Sequence, residues 1–400
     1  MPVAASILIV DDTPANLQVL AGMLKDRGYK VRPVPGGKLA LAAARRDPPD
    51  LILLDINMPE MNGYEVCEHI KADEKLKGIP IIFISALTEQ LDKVKAFATG
   101  GVDYITKPFQ MEELHARVET HLKIHRLQTE LEQLNSQLAR ANARMSHDLD
   151  AAAKIQKTFL PGVSPNIPRL KCAWGYKPCD ELGGDGLNIV DLGGGKVGLY
   201  ILDVSGHGVS AALLSVSVCR LLSKPSDFSS ILIGRRGLEG QADITPPTEV
   251  ATRLNRQFPF GVATGQYATL MYGVLDVATG QFVYVSAGHP GPIHVPATGP
   301  AILVESPGYP IGLAEDAYHE RSIQMQPGDR LYLYSDGLAD ALNTEGVPFG
   351  EPQILTAVTQ ERNAPLAEGI ETLLEKIAMW HGSDRSQDDI SIVAVELARP

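Results

Sequence analysis

The chain has 400 residues, 44% hydrophobic and 21% charged, which is ordinary for soluble globular protein and long enough for two domains and a connector. Its formal net charge of -12 argues against a polyanion as main partner, because nucleic-acid binding needs clustered Lys and Arg to neutralise phosphates. Cys67, Cys172, Cys179 and Cys219 form no CxxC pair, no apolar run approaches a membrane span, and "MPVAASILIVDD" lacks a basic start and a cleavable core, so a cytoplasmic, zinc-free and disulfide-free protein is expected.

From residue 1 to 122 the Val/Ile/Leu runs "SILIV", "LILLD", "IPIIFIS" and "DYIT" alternate with amphipathic stretches, the mark of βαβ units around a parallel sheet. Thr13 and Pro14 read as a helix start, with a capping hydroxyl and a proline at the first helical position. From 123 to 160 the spacing changes. Ile124, Leu127, Leu131, Leu134, Leu138, Ala141 and Met145 step by three and four, a heptad seam that predicts a coiled coil and hence a homodimer.

Beyond "IQKTFLPG", from 161 to 400, strands read as hairpin pairs in "NIVDLGGGKVGLYILDV", "TLMYGVLDVATGQFVYVSAG" and "RSIQMQPGDRLYLYSDG". Antiparallel sheets follow, with helices at 209 to 223, 247 to 258 and 365 to 380, giving an α+β domain. The "GGGK" run lies between strands and lacks the spacing of a phosphate-binding loop.

Two sets of strand-end acids carry the chemistry. In the first zone Asp11, Asp12, Asp55, Ser85 and Lys107 end strands that a parallel sheet gathers at its carboxyl edge, where such folds bind ligands. Three close carboxylates call for a hard cation such as Mg²⁺, a Lys can face phosphoryl oxygens, and Asp55 is a nucleophile able to form an aspartyl phosphate. In the third zone the acids are Asp185 in "LGGDG", Asp203 in "LDVSGHG", Asp336 in "YSDGLADA", and Asp388 with Asp389 in "DDIS". All-oxygen ligation points to two Mg²⁺ or Mn²⁺ ions, which would acidify a water and clamp an in-line displacement at phosphorus. Gly after or near Asp185, Asp203 and Asp336 lets backbone approach, and could expose the Val204 carbonyl as a further ligand. Ordinary turn-forming Asp-Gly pairs are the competing explanation for any one of these acids, though not for four at apolar strand ends.

"IVDD", "LLDINMPEMNGYE", "FISA" and "GGVDYITKPF", in that order, resemble the response-regulator receiver family. The resemblance implies a doubly wound five-strand flavodoxin/CheY-like sheet and phosphorylation of Asp55 by a partner histidine kinase. It further implies Mg²⁺ held by Asp11, Asp12 and Asp55, phosphoryl contacts from Ser85 and Lys107, Tyr104 as switch aromatic and Pro108 as a cis-proline. "AAAKIQKTFLPG", "GGD", "DVSGHGVSAAL", "SAGHPGPI", "PGDRLYLYSDGLADA" and "SQDDISIV" resemble the metal-dependent serine/threonine phosphatases (PPM, protein phosphatase 2C-like) of the SpoIIE-like branch. That resemblance implies an αββα sandwich. Asp203 would bridge two metals, Val204 would lend its carbonyl, Asp336 and Asp388 would complete one metal site, and Asp185 would support the second. The implied substrate is a phosphoserine or phosphothreonine protein, an anti-sigma-factor antagonist. Asn188 stands where many relatives carry another acid, and Asp389 at a variable position. His207 and His289 read as turn residues rather than proton donors, and the Arg235/Arg236 pair as loop solvation rather than a phosphoprotein contact. A non-catalytic adaptor binding a sigma or anti-sigma partner is the alternative function. His147 in "ARMSHDLD" lacks the sequence that follows a kinase phosphohistidine, and no ATP-binding glycine boxes follow it.

Overall fold

The computed structural model describes residues 4–86, 90–162, 166–234, 243–260, 265–313, 318–382 and 386–399; Arg235 and Arg236 lie outside them. The chain divides into two compact units, residues 1–143 and 144–400.

In the first unit β1 (Ser6–Val10), α1 (Pro14–Lys25), β2 (Lys30–Val34), α2 (Gly37–Arg46), β3 (Leu51–Asp55), α3 (Gly63–Ala72), β4 (Ile81–Ala86), α4 (Gln90–Ala98) and β5 (Asp103–Lys107) alternate along the chain. All strands are parallel, in the order β2-β1-β3-β4-β5. Ile7 to Val10, Leu51 to Leu54 and Ile81 to Ile84 have no exposed surface, because helices cover both faces of the sheet. Leu17, Leu20 and Leu24 of α1 pack on one face with Leu114 and Val118 of α5 (Met111–Lys157); Ala40, Val66 and Ile70 of α2 and α3 pack on the other. Strand order reverses between β1 and β3, so the acids after these strands meet at one crevice.

One local expectation fails here. Pro14 does open α1, but the Thr13 hydroxyl does not cap it and lies 3.3 Å from the Asp12 carboxylate instead. A hydroxyl proton is drawn to the adjacent charge, and the oxygen no longer meets the helix N–H groups. A capping box is built at α3, where Asn62 and Glu65 exchange side-chain and backbone bonds.

The expected connector is the distal part of α5, a single 47-residue helix that begins inside the first unit. Ile124, Leu127, Leu131, Leu134, Leu138 and Met145 are all exposed along it. Among the described residues no helix is long and apolar enough to cross a membrane.

In the second unit the order is β6 (Leu170–Lys177), β7 (Gly186–Gly193), β8 (Lys196–Val204), α6 (Val209–Leu221), α7 (Pro247–Gln257), β9 (Ala268–Asp276), β10 (Gln281–Ala287), β11 (Ile293–Val295), β12 (Ile302–Leu303), β13 (Arg321–Gln324), β14 (Arg330–Tyr334), α8 (Asp336–Ala339), α9 (Glu351–Gln360), α10 (Leu366–His381) and β15 (Ile390–Leu397). These strands build two antiparallel five-stranded sheets, β13-β10-β9-β8-β7 and β12-β11-β14-β15-β6. Ile201, Met271 and Phe282 from the first interleave with Leu331, Leu333 and Val393 from the second. Residues of α6 and α7 cover the outer face of the first sheet, and α9 and α10 that of the second, an αββα sandwich.

The segment "RSIQMQPGDRLYLYSDG" is not the expected hairpin, because β13 joins the first sheet and β14 the second. The burial patterns explain the split: β13 buries only Ile323, as an edge strand does, while all five residues of β14 are buried. The Asp329 carboxylate accepts the backbone N–H groups of Gln326 and Ala297 and turns the chain across the sandwich.

At the second sheet's end, α8 packs so tightly on the chain preceding β15 that a Cβ on Gly337 would lie 2.2 Å from the Asp389 carbonyl oxygen. Gly337→Ala should therefore cost about 1–3 kcal/mol. A urea titration of the full chain with an unchanged midpoint would contradict this packing.

Candidate functional site

In the first unit, one oxygen from each of Asp11, Asp12 and Asp55 lies within 4.8 Å of the others, and this is the one such acidic trio among the described residues. Lys107, at the end of β5, places Nζ 2.9 Å from Asp11 Oδ2 and 3.1 Å from Asp55 Oδ1. Asn16 donates to both Asp11 oxygens. Burial pushes the Asp55 carboxyl above its ordinary value, Lys107 opposes this, and Asp11 and Asp12 add to it. One ammonium facing three carboxylates leaves net negative charge, and the donors are all oxygen, so the trio fits a Mg²⁺ ion.

Ser85, buried at the end of β4, is in register with Thr106 of β5, one residue before Lys107. The Tyr104 ring meets Phe97 edge-on at 6.1 Å, and the Arg117 guanidinium lies 5.8 Å from its centre. Arg117 also grips Asp103 with two bonds of 2.7 and 2.8 Å, tying the start of α5 to β5. Pro108 follows a cis peptide bond.

In the second unit the fold draws acids from both sheets together. Asp203 ends β8, Asp336 opens α8 directly after β14, Asp388 and Asp389 precede β15, and Asp185 precedes β7. A Cβ on Gly337, next to Asp336, would lie 3.3 Å from the Asp388 Cβ, and one on Gly184, next to Asp185, would lie 3.0 Å from the oxygen of Val204, next to Asp203, so these acids are neighbours. Asp203 is pushed up to about 7, first by burial and then by Asp336 and Asp388. Asp336 is raised by burial, Asp388 and Asp340; Asp388 by burial and then by Asp389 and Asp340. Asp185 is wholly buried and shifted well upward by burial, Asp203 and Asp389. Among the described residues no Lys or Arg forms an ion pair with Asp185, Asp203, Asp336 or Asp388. An oxygen-only cluster that suppresses its own ionisation in this way fits a divalent cation, although, among the described residues, its acids do not bring three carboxylate oxygens within 4.8 Å of one another as Asp11, Asp12 and Asp55 do.

The supports of the cluster are as informative as its members. Asp389 is committed to the backbone: Oδ1 accepts the N–H of Cys179 at 2.8 Å, and Oδ2 accepts those of Gly184 and Asp185 at 2.5 and 3.2 Å. Asp389 thus shapes the "GGD" loop. Ser391 donates its hydroxyl to Asp185 Oδ2. A Cβ on Gly184 would lie 3.0 Å from the Val204 carbonyl oxygen, which places that carbonyl against the loop.

His289 joins the sheets, its Nε2–H donating to the Tyr334 carbonyl at 3.0 Å and its Nδ1 accepting from the Thr269 hydroxyl at 2.7 Å. Burial drives its imidazole down to about 3, so it is neutral with both nitrogens engaged. His207 is exposed and lies 3.1 Å from the Asp180 carboxylate. Asn188 faces away from the acids, donating to the Phe159 carbonyl just past α5.

Sequence reasoning missed Gln156. Its buried side chain donates to the Gly183 carbonyl at 2.5 Å and accepts the Gly183 N–H at 3.2 Å, gripping the "GGD" loop from the last turn of α5. The available signal was an uncharged polar residue among apolar and small ones in "AAAKIQKTF".

A carboxyl raised in the folded state contributes stability that is complete below its unfolded value of about 4 and is lost as pH rises through its folded value. For Asp203 that loss accumulates between about 4 and about 7. Chelator-stripped protein should therefore melt at progressively lower temperature from about pH 4 to about pH 7, Asp203→Asn should flatten the decline, and Mn²⁺ should restore most at the alkaline end. A stripped protein with a level profile would contradict the crowding.

Comparison with known proteins identifies both units. The family described as "Stage II sporulation protein E (SpoIIE)" matches residues 193–398, and "Response regulator receiver domain" matches residues 7–119. Response regulator PleD of Caulobacter vibrioides is 37% identical over 152 residues, 38% of this chain and 33% of the relative. DNA-binding response regulator MtrA of Mycolicibacterium smegmatis is 40% identical over 117 residues, 29% of this chain and 50% of the relative. The chain thus spans a third to a half of these curated relatives. The SiaA-PP2C domain of Pseudomonas aeruginosa superposes with a TM-score of 0.53 at 20% identity, over 64% of this chain and 99% of that domain, a likeness of fold. With a receiver domain ahead of a SpoIIE PP2C-type serine phosphatase domain, the chain belongs to the SpoIIE family.

Proposed function

We propose that this protein is a two-component response regulator whose output is metal-dependent removal of phosphate from serine or threonine of a partner protein, controlled by phosphorylation of Asp55. The observation that carries the reading is the convergence of Asp185, Asp203, Asp336 and Asp388 with, among the described residues, no Lys or Arg paired to them. Asp203, the Val204 carbonyl, Asp336 and Asp388 would hold one Mn²⁺ or Mg²⁺ ion, and Asp203 with Asp185 would hold a second. The ions supply positive charge against the phosphoryl oxygens and a more acidic water. The chain's own residues set the geometry: Asp389 and Ser391 hold Asp185 in place, and the neutral His289 locks β9 to β14.

In the receiver, the Asp55 carboxylate takes a phosphoryl group from the phosphohistidine of a cognate kinase, the P–N bond breaking as the P–O bond forms. Asp11 and Asp12 would hold a Mg²⁺ ion beside it. Lys107 and Ser85 engage the transferred group, and Tyr104 reports it. The receiver occupies residues 1–122, the connector 123–160 and the phosphatase 161–400. Two chains pair through the exposed heptad stripe from Ile124 to Met145. The coupling runs down α5, where a turned or shifted last helical turn moves Gln156 and, with it, Gly183 and Asp185. The substrate fitting this architecture is an anti-sigma-factor antagonist phosphorylated on serine, acted on in the cytoplasm.

The test is release of phosphate from such an antagonist in Mn²⁺. Asp203→Ala should lose at least about 100-fold in rate, comparable to removing a group central to the transition state. Absence of turnover by the unaltered chain would leave the non-catalytic adaptor instead. Gln156→Ala should reduce the rate about tenfold and abolish its response to an acyl-phosphate mimic on Asp55; an undiminished response would remove Gln156 from the coupling.

A further inference from the structure

Most large apolar side chains of the second unit are buried, yet Val209, Leu213, Phe260, Tyr267, Tyr309 and Leu313 are exposed, Leu213 by 63% and Tyr309 by 64%. They come from three separate stretches that the fold stitches together beside the acids. Ser205, two residues past Asp203, exchanges bonds with Tyr267: Ser205 N–H donates to the Tyr267 carbonyl and Tyr267 N–H to the Ser205 hydroxyl, both at 3.0 Å. Gln266 Nε2 donates to the Ser205 carbonyl at 3.2 Å and the Ser210 hydroxyl at 3.4 Å, reaching the first turn of α6, whose Val209 and Leu213 share a face at i, i+4 spacing. The Phe260 ring lies 6.5 Å from that of Tyr267, and Phe260 N–H donates to Gly312 at 3.0 Å, bringing in Leu313. The result is a rim of exposed apolar side chains whose backbone is tied, by main-chain bonds and by Gln266, to the strand end that carries Asp203.

The rim's own residues are also uncharged, and charge enters at its edge, where His207 lies 3.1 Å from the Asp180 carboxylate. Residues 204–213, 258–260, 265–267 and 309–313 contain no Asp, Glu, Lys or Arg, in a chain that is 21% charged. Exposed apolar surface of this kind marks an interaction site, and a neutral face does not select acidic or basic flanking sequence. We propose that this rim docks the folded body of the phosphoserine protein, through a neutral apolar surface surrounding its phosphoserine. The inference rests on the phosphatase reading and names how that site chooses its substrate. Its occupant follows from continuity, since a macromolecule delivering a phosphoserine to Asp203 covers the Ser205, Tyr267 and Leu213 surface as it does so. The acids act on the phosphoryl group, and the rim discriminates the protein that bears it.

The experiment uses the full chain and its Leu213→Ser/Leu313→Ser variant, both substitutions at exposed positions. The probes are a serine-phosphorylated anti-sigma-factor antagonist and p-nitrophenyl phosphate. Docking predicts that the dissociation constant for the phosphorylated antagonist, measured calorimetrically, rises about tenfold. KM for it should rise in step, while its kcat and the turnover of p-nitrophenyl phosphate stay within about twofold. An unchanged dissociation constant overturns the docking surface. An equal loss on both probes overturns it too, as general damage, and so does a changed oligomeric state in light scattering with unaltered substrate affinity, which would make the occupant a second copy. Tight binding by the unaltered chain without turnover of either probe sinks the phosphatase reading while leaving the docking result intact.

Discussion

Like charges crowded at the end of a sandwich are the constraint on which the second unit depends. Asp185, Asp203, Asp336 and Asp388 stand on four separate stretches of chain and two sheets, and each has its ionisation suppressed by burial and by neighbouring acids. Such a set persists only if the surrounding structure holds it, and the holding is visible. Asp389 fixes three backbone N–H groups of the loop before Asp185, Ser335 and Ser391 bond across β14 and β15, and His289 ties one sheet to the other. The geometry is stored in backbone contacts and waits for cations to supply the missing charge.

The receiver meets the same problem with a different balance. Its three acids are closer together, and Lys107 spans two of them, so part of the counter-charge is built into the chain. A bound Mg²⁺ supplies the remainder, and a phosphoryl group on Asp55 would draw Lys107 away from Asp11. Arg117 joins Asp103, beside the Tyr104 ring, to the first turns of α5, the contact through which the proposed coupling would enter the helix.

Strand-end acids were legible because a long apolar run that closes on Asp, as in "LILLD" and "LYILD", has few explanations in a folded chain, and the heptad stripe because its spacing survives in the helix unchanged. What escaped the sequence was decided by pairing and direction. Asp388 and Asp389 are identical neighbours, yet the first faces the other acids and the second spends its oxygens on backbone; only the path into β15 separates them. The division of β13 and β14 between two sheets depends on a buried Asp329 turn, which resembles a hairpin turn in composition. Gln156 was invisible because its partner is a glycine peptide, and backbone leaves no signature in a sequence.

The measurement that bears most directly on this account is equilibrium dialysis of the full chain against Mn²⁺ at neutral pH. Two ions per chain lost together on Asp203→Ala, with a third lost only on Asp55→Ala, is the predicted result. Stoichiometry unaffected by Asp203→Ala would contradict it.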